Sequence, residues 1–381
     1  SWAALNEDID KPLLNRALRG TYPPGSTYKP LMAMAALNSG KRAANVVIQD
    51  NLTYSFGGRT FGSPEADRPG PKDMRLAIVS SSNVYFYSLA NEMGVDLIHD
   101  QLMPFGLGRL TGIDLMGEVT GDLPSQEWKR KKFRKPEQQK WYAGETISLG
   151  IGQGYNNFTM LQMATAYSTI ASGGLRFKPH LVREIKDVVQ RTTLRASGDA
   201  LDPLPLKPEH VDVIRNAMHG VTLEGTSAKV FAGAGYTSGG KTGTAQAIGL
   251  RAGEKYSSVK ADEHKRDHAL YVAFAPVENP TIALAVIVEN AGWGSGSAAP
   301  IARRVFDYWL LGQYPNDEDM AAVRKGQAMA PIGKPLVATE VPWPRAGATV
   351  AAIPPAASTP ASVTKPPAGA PVNTVALAPR Q

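Results

Sequence analysis

A serine and a lysine in the segment Ser26-Thr27-Tyr28-Lys29 form the first pair whose types and spacing could do chemistry. A turn signal, Tyr22-Pro23-Pro24-Gly25, precedes them. Residues at i and i+3 share one helix face, so the amine of Lys29 can reach the oxygen of Ser26. A serine nucleophile needs a base, and a lysine amine serves when burial or a second cation favours its neutral form. The pattern alone is weak evidence, because a surface serine and lysine would give the same spacing.

A second hydroxyl and a side-chain amide occur in Ser81-Ser82-Asn83. Ser81 and Asn83 could together relay a proton to a leaving amine and orient the amide of a substrate. Taken by itself, the segment is more typical of a polar helix start.

A third group of candidates lies on a predicted strand, in Lys241-Thr242-Gly243-Thr244. Ser238-Gly239-Gly240 precedes it, and glycine allows a ligand backbone to approach a strand closely. A strand edge can pair with an extended peptide, while threonine hydroxyls hold a carboxylate in the positive field of a lysine. The alternative is an ordinary amphipathic strand after a turn.

The three groups together are stronger evidence than any one of them. They occur in the order S-x-x-K, S-x-N and K-T-G, on a predicted helix start, a helix and a strand. A set of this kind in this context is typical of penicillin-binding proteins and class A β-lactamases. It predicts a serine acyl-transfer site.

The elements that must position these residues follow from apolar spacing, β-branched residues and turn signals. Predicted helices cover Ser26–Asn38, the stretch from Lys72 through Ala90, Thr159–Ile170 and Ala298–Leu311. Predicted strands cover Lys241–Ile248, Ala269–Pro276 and Thr281–Asn290.

Composition restricts the function without choosing it. The 381 residues carry a formal net charge of +7 and contain no cysteine, which excludes disulfides and thiolate metal sites. A nucleic-acid-binding function would rest on the net charge alone, so we expect no nucleic-acid partner. The basic stretch 129–135 predicts a solvated surface, and Trp128 and Trp141 at its ends predict packing.

Two parts of the chain differ in composition. Residues 1–315 have the apolar content of a folded domain, whereas residues 316–381 are rich in Pro and Ala. A segment of this kind buries too little apolar surface to offset its ordering entropy. We therefore expect a disordered tail from about residue 316, which a protease removes without affecting the domain.

Further segments carry a resemblance to a family. They are Pro12-Leu13-Leu14-Asn15-Arg16, Phe105-Gly106 with Thr111-Gly112-Ile113-Asp114, Gly150-Ile151-Gly152-Gln153-Gly154, and Arg266-Asp267-His268. With the three motifs, they resemble the class B penicillin-binding proteins, in the elongation-specific penicillin-binding protein 2 subfamily. The resemblance extends from about residue 9 to residue 312.

The resemblance implies an α/β transpeptidase fold, in which an antiparallel sheet is flanked by helices and joined to an all-helical subdomain. Family members place a membrane anchor, a head domain and two strands before the nucleophile, and we expect this chain to lack them. The strand Thr281–Asn290 would then be an unpaired apolar edge of the kind that promotes aggregation.

The resemblance also implies roles at the site. Ser26 would be acylated by a stem peptide ending in D-alanyl-D-alanine, with Lys29 as its base and Ser81 and Asn83 assisting proton transfer and substrate binding. The terminal carboxylate would be held by Lys241, Thr242 and Thr244, and Gly243 would be a further substrate-binding residue. The backbone N–H groups of Ser26 and Thr244 would form the oxyanion hole.

The expected ligands are stem peptides and β-lactams, and the resemblance adds a membrane glycosyltransferase of the elongation machinery as a partner. It implies a location on the periplasmic face of the inner membrane. We expect no cofactor. We also expect no metal, because residues 41–83 contain neither the cysteine nor the histidine with which some relatives bind one.

Two rival functions share part of the pattern. A class A β-lactamase needs a deacylating glutamate in an E-x-x-x-N pattern, which is missing at Glu118, Glu127, Glu137 and Glu145. A penicillin sensor domain shares the first and third motifs, but the segment Gly150–Gly154 favours the transpeptidase subfamily.

Overall fold

A computed structural model of the chain describes residues 2–63, 68–195, 198–246, 263–324, 334 and 336–340. The last two residues of the predicted strand Lys241–Ile248 and residues 341–381 of the predicted tail lie outside the described residues. None of the described helices is long and apolar enough to span a lipid bilayer.

Helices contain more of the described residues than strands do, and several begin or end where the sequence predicts. Thr159 and Gln162 form a capping box at the start of the predicted helix Thr159–Ile170, and Gly40 ends the nucleophile helix in a left-handed conformation. The helices are α1 (Trp2–Glu7), α2 (Arg16–Arg19), α3 (Lys29–Ser39), α4 (Met74–Val79), α5 (Asn83–Met93), α6 (Val95–Leu102), α7 (Gln126–Lys132), α8 (Pro136–Gln139), α9 (Ala143–Leu149), α10 (Met160–Ala171), α11 (Pro208–Leu223), α12 (Ala228–Phe231), α13 (Ala298–Leu311) and α14 (Asp317–Arg324).

The strands form one larger sheet and several two-stranded ribbons. They are β1 (Thr21–Tyr22), β2 (Ile48–Asp50), β3 (Thr53–Phe56), β4 (Arg59–Gly62), β5 (Gly70–Lys72), β6 (Phe158–Thr159), β7 (Arg176–Phe177), β8 (Glu184–Asp187), β9 (Thr192–Arg195), β10 (Ala200–Leu201), β11 (Gly239–Ala245), β12 (His268–Ala275), β13 (Ile282–Val288), β14 (Gln313–Tyr314) and β15 (Leu336–Val337). The ribbons of the helical part were not predicted, because strands of two to four residues are too short to show an alternating pattern.

The larger sheet has the order β11-β12-β13 and is antiparallel throughout. β12 is buried along almost its whole length, whereas every residue of β13 is partly exposed. One apolar core, which includes residues of α3, α5, α10 and α11, packs on one face of the sheet. A second, smaller core with residues of α12 and α13 packs on the other face. The three predicted strands and the helix Ala298–Leu311 are confirmed.

The prediction of one helix from Lys72 through Ala90 is wrong, because the chain breaks it into α4 and α5. Asp73 caps the first helix by accepting from the N–H of Leu76, and Ser82 caps the second by accepting from the N–H of Tyr85. Side-chain caps of this kind compete with continuation of a helix. The break places Ser81 in the turn between the two helices.

The basic stretch 129–135 is not solvated throughout. Lys129 is 2% exposed, and its amine donates to the carboxylate of Glu145 at 2.5 Å. Its amine also lies about 5.4 Å from the ring centres of Trp141 and Tyr155. The prediction of a solvated surface is therefore wrong for Lys129, whereas Trp141 packs as expected.

The boundary of the predicted tail at residue 316 is also wrong. Residues 317–324 form α14, and β15 pairs with β14. Arg304 of α13 forms a bidentate ion pair with Asp319, whose side chain is 5% exposed. The composition of the segment does not reveal this contact, which ties α14 to α13.

We predict that Asp319→Ala lowers the melting temperature by about 5 to 10 °C, since an unpaired buried charge costs about 3 kcal/mol. Amide hydrogen exchange should become faster in α14. Asp317→Ala is the matched control, because Asp317 lies in the same helical turn but is exposed. An equal effect of the two substitutions would show that the ion pair does not hold the helix.

Candidate active site

The predicted nucleophile lies in the first turn of the nucleophile helix. Residues Gly25–Tyr28 form a 3₁₀ turn that continues directly into α3. Ser26 is partly exposed, while Thr27, Tyr28 and Lys29 are buried. The backbone oxygen of Ser26 accepts from the N–H of Lys29. The serine is therefore the residue of this turn that a substrate can reach.

The amine of Lys29 joins the first and second motifs. Lys29 is fully buried, and its Nζ donates to the backbone oxygen of Ser81 at 2.5 Å and to Ser81 Oγ at 3.2 Å. It also donates to Asn83 Oδ1 at 2.7 Å. The predicted base therefore lies next to the predicted proton relay.

Lys241 brings the third motif to the same oxygen. Its Nζ donates to Ser81 Oγ at 2.8 Å, and its side chain is fully buried. Two lysine amines thus share one serine hydroxyl. The hydroxyl of Ser81 therefore lies within proton-transfer distance of both amines.

Ser81 has a backbone conformation that serine seldom adopts. Its φ is +61°, which costs a non-glycine residue about 1 kcal/mol or more. The conformation directs both its carbonyl and its hydroxyl towards Lys29. The turn between α4 and α5 therefore holds Ser81 in a strained conformation that serves the site.

Backbone segments meet without intervening side chains around Ser26. The N–H of Gly25 donates to the oxygen of Gly152 at 3.0 Å. A Cβ atom on Gly25 would lie 2.5 Å from the oxygen of Thr244, and one on Gly152 would lie 2.2 Å from the oxygen of Gly25. These contacts place the backbone of the nucleophile turn directly against the strand that carries Thr244.

The two glycines before Lys241 have a different role from the predicted one. A Cβ atom on Gly239 would lie 2.6 Å from the ring of Phe274, and one on Gly240 would lie 1.9 Å from the hydroxyl of Tyr271. Both aromatic residues belong to β12. These glycines therefore make room for rings of the neighbouring strand, not for a ligand.

Thr226 is a site residue that the sequence analysis missed. Its hydroxyl lies 2.6 Å from that of Thr242, which is 9% exposed. Thr226 is exposed and stands between α11 and α12, outside the three motifs. Thr244, the other predicted carboxylate ligand, is partly exposed.

Tyr167 forms a hydrogen bond with the backbone of the nucleophile turn. Its hydroxyl donates to the backbone oxygen of Thr27, whose own hydroxyl donates to the oxygen of Pro24 at 2.5 Å. Burial raises the pKa of Tyr167 well above its ordinary value, so the hydroxyl remains a donor. The helix α10 that carries Tyr167 thereby fixes the position of Ser26.

An ion-pair cluster joins the approach to the nucleophile with the end of the sheet. Arg16 Nε donates to Glu289 at 2.7 Å, and Tyr22 Oη donates to it at 2.6 Å. The rings of Tyr22 and His268 meet edge to face, with centres 5.5 Å apart. Burial raises the pKa of Glu289, but the bonds from Tyr22 and Arg16 outweigh it and lower that pKa.

This cluster unites segments that the sequence showed only as separate resemblances. His268 pairs in register with Ala245, the residue after Thr244, so the cluster lies beside the third motif. Glu289 had no signal in the sequence, because it only follows an apolar strand. Among the residues that the structure describes, no three His, Asp or Glu side chains form a metal-binding group.

Comparisons with known proteins identify a matching family and several relatives. Residues 3–307 match the family model described as penicillin binding protein transpeptidase domain. The peptidoglycan D,D-transpeptidase MrdA of Haemophilus influenzae is 38% identical over 321 residues, which cover 82% of this chain and 48% of that protein. The chain spans about half the length of the curated relatives it matches.

Solved structures agree as well. Pseudomonas aeruginosa PBP2 in complex with WCK 5153 is 38% identical, with a TM-score of 0.70 over 81% of this chain and 63% of that one. Helicobacter pylori PBP2 in complex with MreC is 29% identical, with a TM-score of 0.68 over 82% of this chain and 54% of that one.

The predicted α/β transpeptidase fold and the predicted resemblance to the penicillin-binding protein 2 subfamily are confirmed by these matches. The family match covers all three motifs, from Ser26 to Thr244, and most of the described fold. The chain therefore belongs to the family of penicillin-binding protein transpeptidase domains.

Proposed function

We propose that this domain is a serine D,D-transpeptidase that cross-links the stem peptides of peptidoglycan during cell elongation. The observation that carries the proposal is the position of Ser81 Oγ. It accepts hydrogen bonds from Lys29 Nζ at 3.2 Å and from Lys241 Nζ at 2.8 Å. This contact joins the three motifs in one proton-transfer network beside Ser26.

In the first half of the reaction, Ser26 Oγ attacks the carbonyl carbon before the terminal D-alanine of a donor stem peptide. Lys29 accepts the hydroxyl proton of Ser26. The C–N bond then breaks, and Ser81 donates its proton to the leaving amine while it takes one from Lys29. D-alanine leaves, and the donor peptide remains as an ester on Ser26.

The strand β11 binds the substrate in this proposal. Thr242 and Thr244 lie on the same side of the strand and hold the terminal carboxylate, with Lys241 adding positive charge. Gly243 faces the opposite side of the strand, where a Cβ atom would lie 2.7 Å from Thr27 Cγ2, so its lack of a side chain lets the substrate-binding strand approach the nucleophile turn. The N–H groups of Ser26 and Thr244 stabilise the oxyanion, since the backbone of Gly25 lies against that of Thr244.

In the second half, the amine of an acceptor stem peptide attacks the ester carbonyl carbon. Its proton passes through Lys29 to Ser26 Oγ as the ester bond breaks, and a new amide cross-link forms. The reaction needs no cofactor or metal. A β-lactam would acylate Ser26 in the same way but leave an ester that the site releases slowly.

Partners and location follow from the relatives. The H. pylori homologue was solved with MreC, and we propose that the whole protein likewise acts with the elongation machinery, including a membrane glycosyltransferase. The substrate lies outside the inner membrane, so we place the domain on its periplasmic face. Nucleic acid has no role in this proposal.

Covalent labelling by penicillin tests the function. Ser26→Ala should abolish labelling of the chain, since it removes the nucleophile, and Lys29→Ala should slow acylation at least about 100-fold, since it removes the base. Mass spectrometry of the intact chain and of its peptides would measure both effects. Ser39→Ala is the control, because Ser39 lies on the same helix and its hydroxyl bonds only to backbone oxygens of that helix.

Two outcomes would contradict the proposal. Labelling that persists in Ser26→Ala would show that another residue is the nucleophile. Rapid release of the penicilloyl group from the wild-type chain would instead favour a β-lactamase.

The close backbone contact at Gly152 generates a separate prediction. Gly152→Ala should slow acylation about tenfold or more, because the new Cβ atom would displace the turn that carries Ser26. Gly40→Ala is the control. Gly40 has almost the same φ, +70° against +71°, but open space around its Cα.

The control separates backbone strain from displacement of the nucleophile. Gly40→Ala should lower stability by about 1 kcal/mol and leave the acylation rate of the folded protein unchanged. Equal acylation rates in both variants would show that the contact between Gly152 and Gly25 is not required.

A further inference from the structure

A buried ion pair lies behind the second motif and is not part of any of the three motifs. Asp50 ends β2 and Lys72 ends β5, and these strands pair as an antiparallel ribbon. Lys72 Nζ lies 3.2 Å from Asp50 Oδ2, and the two side chains are 5% and 1% exposed. Removing two charges from water costs free energy of folding, so a buried ion pair at this position needs a structural or functional reason.

The same carboxylate binds the central residue of the second motif. Ser82 Oγ donates to Asp50 Oδ2 at 2.5 Å, and Asp50 Oδ1 accepts from the N–H of Leu52 at 2.8 Å. Both oxygens of the carboxylate are therefore occupied by fixed donors. Hydrogen bonds to an ionised carboxylate are stronger and more directional than those between neutral groups.

Ser82 connects Asp50 to the two neighbouring motif residues, Ser81 and Asn83. Its Oγ also accepts from the N–H of Tyr85 at 3.2 Å, which fixes the first turn of α5. Asn83 is the first residue of that helix, and Ser81 precedes Ser82 in the left-handed conformation. Rotation of Ser82 away from Asp50 would therefore displace Ser81 and Asn83, which accept hydrogen bonds from the amine of Lys29.

We infer that Asp50, neutralised by Lys72, is a positioning residue for the acylation reaction, which acts through Ser82 to hold Ser81 and Asn83 in place. The inference rests on the proposed function. Asp50 does not touch the substrate or the nucleophile. It keeps the hydroxyl of Ser81 at the point where the two lysine amines meet.

There is a physical reason for a charged pair, and not a neutral one, behind Ser82. A neutral acceptor would hold the hydroxyl of Ser82 more weakly, and a carboxylate alone in this position would be an unpaired buried charge. Burial raises the pKa of Asp50, but the hydrogen bonds from Ser82 and Leu52 and the positive charge of Lys72 outweigh it and lower that pKa. Asp50 is thus a carboxylate at neutral pH.

The kinetics of penicillin acylation test the inference in the whole chain. Saturation kinetics separate the acylation rate constant from the apparent dissociation constant of the non-covalent complex. Asp50→Asn and Ser82→Ala should each lower the rate constant about tenfold, equal to about 1.4 kcal/mol, with the dissociation constant changed less than threefold. Both variants keep Ser81 and Asn83, which accept hydrogen bonds from the lysine amines.

A double-mutant cycle shows whether Asp50 acts through Ser82. The double variant Asp50→Asn with Ser82→Ala should lose no more in the acylation rate constant than the worse single variant, because the second substitution removes a contact already broken. Losses that multiply would overturn the proposed route. Ser82→Thr, which keeps a hydroxyl, should recover most of the rate lost in Ser82→Ala.

A second buried ion pair provides the control for stability. Arg303 and Asp307 lie on α13, with 7% and 5% exposed side chains and a distance of 2.7 Å. Asp307→Asn should lower the melting temperature as Asp50→Asn does but leave the acylation rate of folded protein unchanged. If Asp50→Asn does not fold, the comparison of Ser82→Ala with Ser82→Thr decides the question.

The outcomes distinguish failure of the proposed function from failure of the inference about Asp50. A wild-type chain that is not labelled at Ser26 would overturn the proposed function. A wild-type chain that is labelled, with Asp50→Asn and Ser82→Ala acylating at the wild-type rate, would overturn only the inference about Asp50.

Discussion

Two buried lysine amines on one serine oxygen set the requirements that the rest of the structure meets. Lys29 comes from a helix and Lys241 from a strand, and both are fully buried. Removing an amine from water is costly unless oxygens replace the water, so the oxygens of Ser81 and Asn83 must lie within hydrogen-bonding distance. The turn between α4 and α5, the helix α3 and the sheet are therefore positioned relative to one another by these contacts, not only by their apolar faces.

Close backbone packing is the second constraint, and it explains the glycines near the nucleophile. Gly25 approaches the backbone of Thr244 without a side chain, and the proposed oxyanion hole of Ser26 and Thr244 depends on this approach. Gly152 meets the other side of the same turn. Tyr167 donates to the backbone oxygen of Thr27 within the turn, and Glu289 accepts from Tyr22, which precedes the turn. Neighbouring elements therefore contact both sides of the segment that carries Ser26.

Local patterns predicted the regular elements well where the pattern was long. The helix start at Thr159, the helix end at Asn38 and the apolar strands β12 and β13 all lie close to their predicted positions. Prediction failed where a single contact decided the outcome. The break before Asn83 depends on caps that can also occur within a helix, and α14 depends on an ion pair with Arg304. Neither contact leaves a periodic signal.

The sequence by itself determined which chemical groups are present and their order, and it predicted the helix or strand that carries each of them except Ser81, which lies in a turn. It thereby identified Ser26, Lys29, Ser81, Asn83 and Lys241 as one set. Only the tertiary structure decided that both lysines meet at Ser81, and that Asp50, Lys72, Thr226 and Glu289 support the site. The physical reason is that motif spacing records neighbours along the chain. A hydrogen bond between residues far apart in sequence depends on how whole elements pack, which no local pattern contains.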